Sequence, residues 1–302
     1  MKPTSIIFLI VSVLLVIGGF ATVGVAKQLA ASEGIVLTDE ASEDGSGYVY
    51  TYDYSQDSIG RITVNVKEAD INIIGGAEKP YIELVNFSEG MYEFSSTNRI
   101  LTVNNNTDLS SPANIASLAM SFKGLRGFVN YYNLGGLPKI VNIYLCDANP
   151  VKIVDCTAET GNVIIEDCDT ATDYNVTIGT GDFAAENVST TSALNLVITD
   201  GDAKLDDCDI TKLAAELKNG SLDATAQFGK VDASLTAGDF NYNCYGILGL
   251  TNLSLFSNVG KITVDGVDHG GYLENNDVPT ENIIDVDIAA GDINIISMVP
   301  RG

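Results

Sequence analysis

Apolar and polar residues alternate along most of the chain, and glycine sets the phase. Gly161, Gly181, Gly201, Gly220, Gly238, Gly260 and Gly291 recur at spacings of 20, 20, 19, 18, 22 and 31 residues. Two and four residues after each stand Val163/Ile165, Phe183/Ala185, Ala203/Leu205, Leu222/Ala224, Phe240/Tyr242, Ile262/Val264 and Ile293/Ile295, all apolar or aromatic. Mostly polar residues lie between them. Five and three residues before the glycines the pairs are Cys156/Ala158, Val176/Ile178, Leu196/Ile198, Ala215/Leu217, Ala233/Leu235 and Val286/Ile288. At Gly260 this half of the pattern breaks, with Leu253 and Leu255 displaced by two. Period-two alternation places every second side chain on one buried face of a strand. Each unit therefore reads as strand, glycine turn, strand, polar turn.

An earlier copy stands at residues 64–74. Asp70-Ile71-Asn72-Ile73-Ile74 recurs letter for letter as Asp292-Ile293-Asn294-Ile295-Ile296, with Ala69 in the glycine place. The chain is expected to be all-β, a β-solenoid (β-helix) body with Gly-Asp repeats of about 20 residues, whose rungs bury a core only when stacked. Like residues at like offsets favour parallel stacking. An antiparallel meander with each Gly-Asp as a hairpin turn remains the alternative. The ladder runs mainly over 151–302 and the whole body over 48–302.

Between the early copy and the ladder, strands are expected at Tyr81–Phe87, Met91–Ser95 and Ile100–Val103. An irregular insertion, 108–138, follows. Within it Ile115, Leu118, Phe122, Leu125, Val129 and Tyr132 fall near helical spacing, with Lys123 and Arg126 close by. It reads either as a cover over one end of the sheets or as an amphipathic element touching a membrane. Tyr48, Tyr50, Tyr52 and Tyr54 share one face of a strand. They either pack against an end of the stack or form an aromatic ligand platform for sugar rings.

The amino terminus breaks the pattern altogether. Ser5–Ala26 is 22 residues without a charge, long enough to span a bilayer as a helix. A cleaved signal peptide, cut after Gly24-Val25-Ala26, is the competing reading. Lys2 precedes the run, whereas Glu33, Asp39, Glu40, Glu43 and Asp44 follow it. Residues 1–4 are then a cytoplasmic tip, 5–26 a single-pass anchor in the cell membrane, 27–47 an acidic linker, and the carboxyl-terminal body extracytoplasmic.

Charge narrows the partners. The 302 residues hold 40 acidic and 16 basic groups. Nucleic-acid binding needs dense positive charge and is excluded. The partners expected are the membrane, through the amino-terminal helix, and an envelope protein or glycan.

Candidate chemistry is sparse. The turn acids Asp182, Asp202 and Asp239 form a column that reads as solvated turn residues or as a weak cation site; one acid per rung does not build a six-ligand cage. Cys168, Val188 and Cys208 share one offset, followed by Tyr245, Val267 and Met298. Two rungs separate Cys168 from Cys208, about 9.6 Å, too far for a disulfide. There is one histidine, His269, and no Cys-x-x-Cys, nucleophile elbow or phosphate loop. No catalytic residue, metal site or cofactor is assigned, and no enzymatic activity is expected.

These features resemble a bacterial family labelled putative adhesins or β-strand-repeat proteins, whose members carry an amino-terminal membrane anchor. The resemblance lies in Ile59–Ile74, in Val141-Asn142-Ile143-Tyr144-Leu145-Cys146 and in the ladder from Thr160-Gly161. Cys146 stands where the family commonly has proline, and Ser221 and Lys261 replace aspartate in their rungs. The resemblance implies a cell-envelope role, with no catalytic residues to carry over. The function expected is a non-catalytic, membrane-anchored adhesin or envelope interaction and scaffold module. The alternative is a carbohydrate-binding or carbohydrate-cleaving β-helix protein at the cell surface.

Overall fold

The computed structural model describes residues 49–87, 92–105, 137–245 and 248–298. The segment Ser5–Ala26, the acidic linker, Tyr48 and the apolar positions from Ile115 to Tyr132 lie outside them. Among the described residues, no helix is long and apolar enough to cross a membrane.

The alternating strands stack in parallel, so the hairpin meander is not formed. Each rung contributes one strand before its glycine and one after it, and the two sets build two ladders. The leading ladder runs Ile100–Asn105, Arg61–Glu68, Ile153–Thr160, Asp173–Thr180 and Ser189–Asp200, then the second halves of Ala203–Asn219 and Leu222–Ala237, then Ile283–Ala290 and Asn252–Ser257. The trailing ladder runs Ile140–Tyr144, Asp70–Ile74, Val163–Glu166 and Phe183–Glu186, then the first halves of the two long strands, then Phe240–Cys244, Ile293–Ser297 and Ile262–Val264. Among the described residues, antiparallel pairs occur only where the ladders end. Glu93–Thr97, Val49–Asp53 and Tyr81–Val85 close one end, and Tyr272–Asn275 and Val267–Asp268 the other.

The inward phase is the one the alternation predicts. Val163, Phe183, Ala203, Leu222, Phe240, Ile293 and Ile262 are all buried in one continuous core. At Gly260 the pattern is intact, contrary to the displacement expected from the sequence. Leu255 pairs with Val286, and Ser257 pairs with Ile288. Ser257 is a buried polar member of the column, and its hydroxyl donates to the carbonyl of Gly291 at 2.7 Å.

Spatial order departs from chain order at both ends. The Gly291 rung lies between the Gly238 and Gly260 rungs rather than after them. The Ala69 rung likewise lies between the terminal rung, residues 100–105 with 140–144, and the Gly161 rung. The two identical pentapeptides thus occupy the inserted, next-to-last position at opposite ends.

The drift in spacing has a local cause. Register slips by one residue between Thr190/Ala193 and again between Asp206/Cys208. Each slip removes one residue from the next rung, as a β-bulge does, and shortens 20 to 19 and then 18.

Candidate functional site

The glycine turns form the most regular surface. Gly201 has φ of 149°, and a Cβ there would overlap the carbonyl oxygen of Gly181. Only glycine combines that backbone with that approach. Ala69 is tolerated because it heads the column; beyond it Asp70 N–H donates to Lys139 at 3.0 Å rather than meeting another glycine turn.

Next to the glycines runs a hydrogen-bond relay. Each turn side chain accepts the backbone N–H of the corresponding residue one rung on. Asp70 accepts from Asn162 at 2.8 Å, Asn162 from Asp182 at 2.9 Å, and Asp182 from Asp202 at 2.9 Å. Asp202 then accepts from Ser221 at 2.8 Å, Ser221 from Asp239 at 3.1 Å, and Asp239 from Asp292 at 2.8 Å. Asp292 accepts from Lys261 at 2.9 Å. The candidate cation ligands Asp182, Asp202 and Asp239 therefore each use one oxygen to clip adjacent rungs. Lys261 ends the relay, where only its N–H is used. Among the described residues no group of three or more His, Cys, Asp or Glu is placed to hold a metal ion.

The opposite corner repeats another device. Asp167, Asn187 and Asp207 have φ of 53°, 55° and 54°. Asp and Asn tolerate this left-handed conformation better than other side chains. Asp167 and Asp207, next to Cys168 and Cys208, are thus corner residues with a conformational task.

The tyrosine row divides. Tyr54 is fully buried, and its hydroxyl donates to the carbonyl of Tyr144 at 3.2 Å. Burial pushes its pKa up. Tyr50 and Tyr52 are half-buried, with ring centroids 6.2 Å and 4.4 Å from Phe94. Tyr52 also donates to Asp57 at 3.0 Å. These rings plug the end of the core between the strands Val49–Asp53 and Glu93–Thr97. As a four-ring sugar platform the row fails at Tyr54, which has no open face.

All five cysteines are buried, and none forms a disulfide. Behind the Asp207 bulge the column continues through Ala226 and Cys244, not through Tyr245 as the constant offset predicts. Cys168, Cys208 and Cys244 thus alternate with Val188 and Ala226, and no two are neighbours. Burial pushes the Cys168 and Cys208 thiols up to about 11. They are protonated and unreactive at neutral pH. His269 lies on an exposed turn, where its backbone N–H donates to Ile262 at 2.9 Å. No buried side-chain nitrogen or oxygen among the described residues lacks a partner.

Two aromatic pairs on the outer faces escape sequence reasoning that looks only at the buried phase. Tyr81 and Tyr144 stack with centroids 4.1 Å apart, beside Glu83. Burial, then Glu83, pushes Tyr144 up to about 12. Phe256 and Tyr272 are directly paired across strands and exposed by 43% and 59%. The signal for both pairs is an aromatic residue at the outward phase, as at Phe256 in Leu253-Ser254-Leu255-Phe256.

The family model described as Toastrack DUF4097 matches residues 59–265 and, in a second register, 147–296. The chain belongs to the Toastrack DUF4097 family. Overlapping matches are natural for this Toastrack domain, because successive rungs are near-equivalent and the model fits the ladder at two positions. No curated protein matches the chain. Solved structures of similar fold include a putative adhesin from Bacteroides fragilis, 15% identical, covering 83% of this chain and 97% of that one with a TM-score of 0.49. Another is a putative cell adhesion protein from Clostridium sporogenes, 14% identical, covering 83% and 99% with a TM-score of 0.40. A third is a putative lipid binding protein from Parabacteroides distasonis, 10% identical, covering 83% and 97% with a TM-score of 0.37.

Proposed function

We propose that this Toastrack protein is a non-catalytic, membrane-anchored module that presents a rigid β-ladder to partners in the cell envelope. The division of labour across its strands carries the reading. Inward positions form one core, the turn side chains clip rung to rung, and outward positions carry mostly polar side chains with scattered aliphatic and aromatic ones. Such a body offers side chains at a fixed spacing of about 4.8 Å, which suits recognition. Its thiols are buried and its one histidine sits on an exposed turn, so they are not arranged as a nucleophile–base pair. The uncharged run Ser5–Ala26, followed by acids, supports an anchor with the body on the outer side.

Protease added to intact cells tests the placement. The body is expected to be cleaved while the chain sediments with membranes. Recovery of the full chain in the cytosol, protected from protease, overturns the reading. Chemical cross-linking on intact cells then tests for an envelope partner.

A further inference from the structure

At the Gly260 end of the leading ladder, one outward-facing patch combines exposed aromatic surface with carboxylates. Ser254 lies between Asp285 on one neighbouring strand and Glu274 on the other. In the next outward row Phe256 lies between Asp287 and Tyr272. All but the half-buried Ser254 are exposed. The small serine makes a dip in the sheet surface, and Asp285 and Glu274 flank it about 9.6 Å apart, two strand spacings.

Glu274 is held in place, accepting from the Tyr272 hydroxyl and from the Asn276 amide. Among the described residues no ion pair engages Asp285 or Asp287. Among the described residues these carboxylates do not belong to any group of three or more His, Cys, Asp or Glu placed to hold a metal ion. They do bracket a larger cation. Aromatic faces beside the dip add cation–π attraction, strongest for guanidinium and ammonium groups. Tyr272–Asn275 is also the last strand of its ladder among the described residues, so nothing described there covers the patch.

We infer that this patch docks a basic protein partner, with an arginine or lysine side chain seated over Ser254 between Asp285 and Glu274 and against Phe256 and Tyr272. The inference rests on the interaction-module reading and names its site and the chemistry of its partner. Charge complementarity commits it to a cationic occupant. The rings would also serve a sugar, but the three flanking carboxylates select positive charge.

The test uses the full chain in a non-ionic detergent, with an acetylated, amidated Arg-Gly-Arg-Gly-Arg peptide as probe and its Glu counterpart as control. The Arg peptide is expected to bind, the Glu peptide not, and affinity to fall at least about tenfold as salt rises from about 50 to about 500 mM. Phe256→Ser and Asp285→Asn are each expected to weaken binding by about tenfold, as loss of one ring or charge contact does. Both positions are exposed, and an unchanged melting curve verifies folding. Glu166→Gln with Glu186→Gln, acids elsewhere on the ladder, is expected to leave affinity unchanged. The inference is overturned by equal binding by Phe256→Ser, by equal loss in the distant double variant, or by preference for a neutral chito-oligosaccharide over the peptide. Peptide binding does not depend on where the chain resides. A cytosolic location therefore defeats the envelope reading alone, and absent peptide binding by a surface-exposed chain defeats this site alone.

Discussion

The carboxylate of Asp239 accepts the backbone N–H of Asp292 at 2.8 Å, although 53 residues separate them in sequence. That contact locks the last rung of the chain into the interior of the ladder. Removing residues 283–302 is therefore expected to do more than trim an end. It strips Asn252–Ser257 and Ile262–Val264 of their parallel neighbours. Hydrogen exchange should show protection lost across 252–275 in the truncated chain, with residues 153–219 still protected. Retained protection at 252–257 would refute the inserted order.

The relay of turn side chains makes a separable prediction. Asp202→Ala removes the acceptor for Ser221 N–H and is expected to cost about 0.5–1.5 kcal/mol in chemical denaturation. Asp202→Asn keeps an oxygen in place, as Asn162 does naturally, and should stay within about 0.5 kcal/mol of the parent. Melting temperatures are expected to match in calcium and in chelator. A calcium-dependent rise lost in Asp202→Asn would instead assign these acids to a cation.

Glycines on the ladder differ sharply in what they tolerate. Gly201→Ala drives a methyl group into the Gly181 carbonyl at a φ of 149° and is expected to cost more than about 3 kcal/mol or abolish folding. Gly60→Ala meets nothing nearer than Arg99 at 3.9 Å, so unfolding should shift by less than about 1 kcal/mol, toward stability if at all. Similar losses at both sites would show that the close rung-to-rung approach is not what selects glycine.

Alkaline pH is expected to weaken the fold. The Cys168 and Cys208 thiols are raised by burial from 9.0 to about 11, so the folded state holds their protons more tightly than the unfolded state. The associated stability is fully present below the unfolded value and is lost as pH rises through the folded value, between about 9 and about 11. Urea midpoints across that range should fall, and less steeply in a Cys168→Val, Cys208→Val variant. Thiol reagents at neutral pH should label the chain only once it unfolds.

Tyr54 distinguishes packing from ligand display. Tyr54→Phe loses one hydrogen bond to Tyr144 and should cost about 1 kcal/mol. Tyr54→Ala opens the plugged end of the core and should cost about 3–5 kcal/mol, read from the unfolding midpoint. Unchanged stability in the alanine variant would return Tyr54 to the surface.

The amino-acid order by itself determined which side chains face inward. Val163, Phe183, Ala203 and Leu222 declare their burial by period-two alternation, which is a local property of an extended chain. It also located the glycine turns, because each glycine lies between two alternating runs that are adjacent in sequence. The order of the rungs was decided by tertiary structure alone. Asp70–Ile74 and Ile293–Ser297 have the pattern of any other rung, and nothing local says that each is inserted beside a terminal rung. Neighbours in a parallel stack are chosen by contacts between distant segments. The bulges at Thr190/Ala193 and Asp206/Cys208, the second of which brings Cys244 into the cysteine column, arise for the same reason: register is settled between strands, not within one. The patch around Ser254 belongs to this second class, since its three strands meet only when Ile283–Ala290 and Tyr272–Asn275 close on either side of Asn252–Ser257.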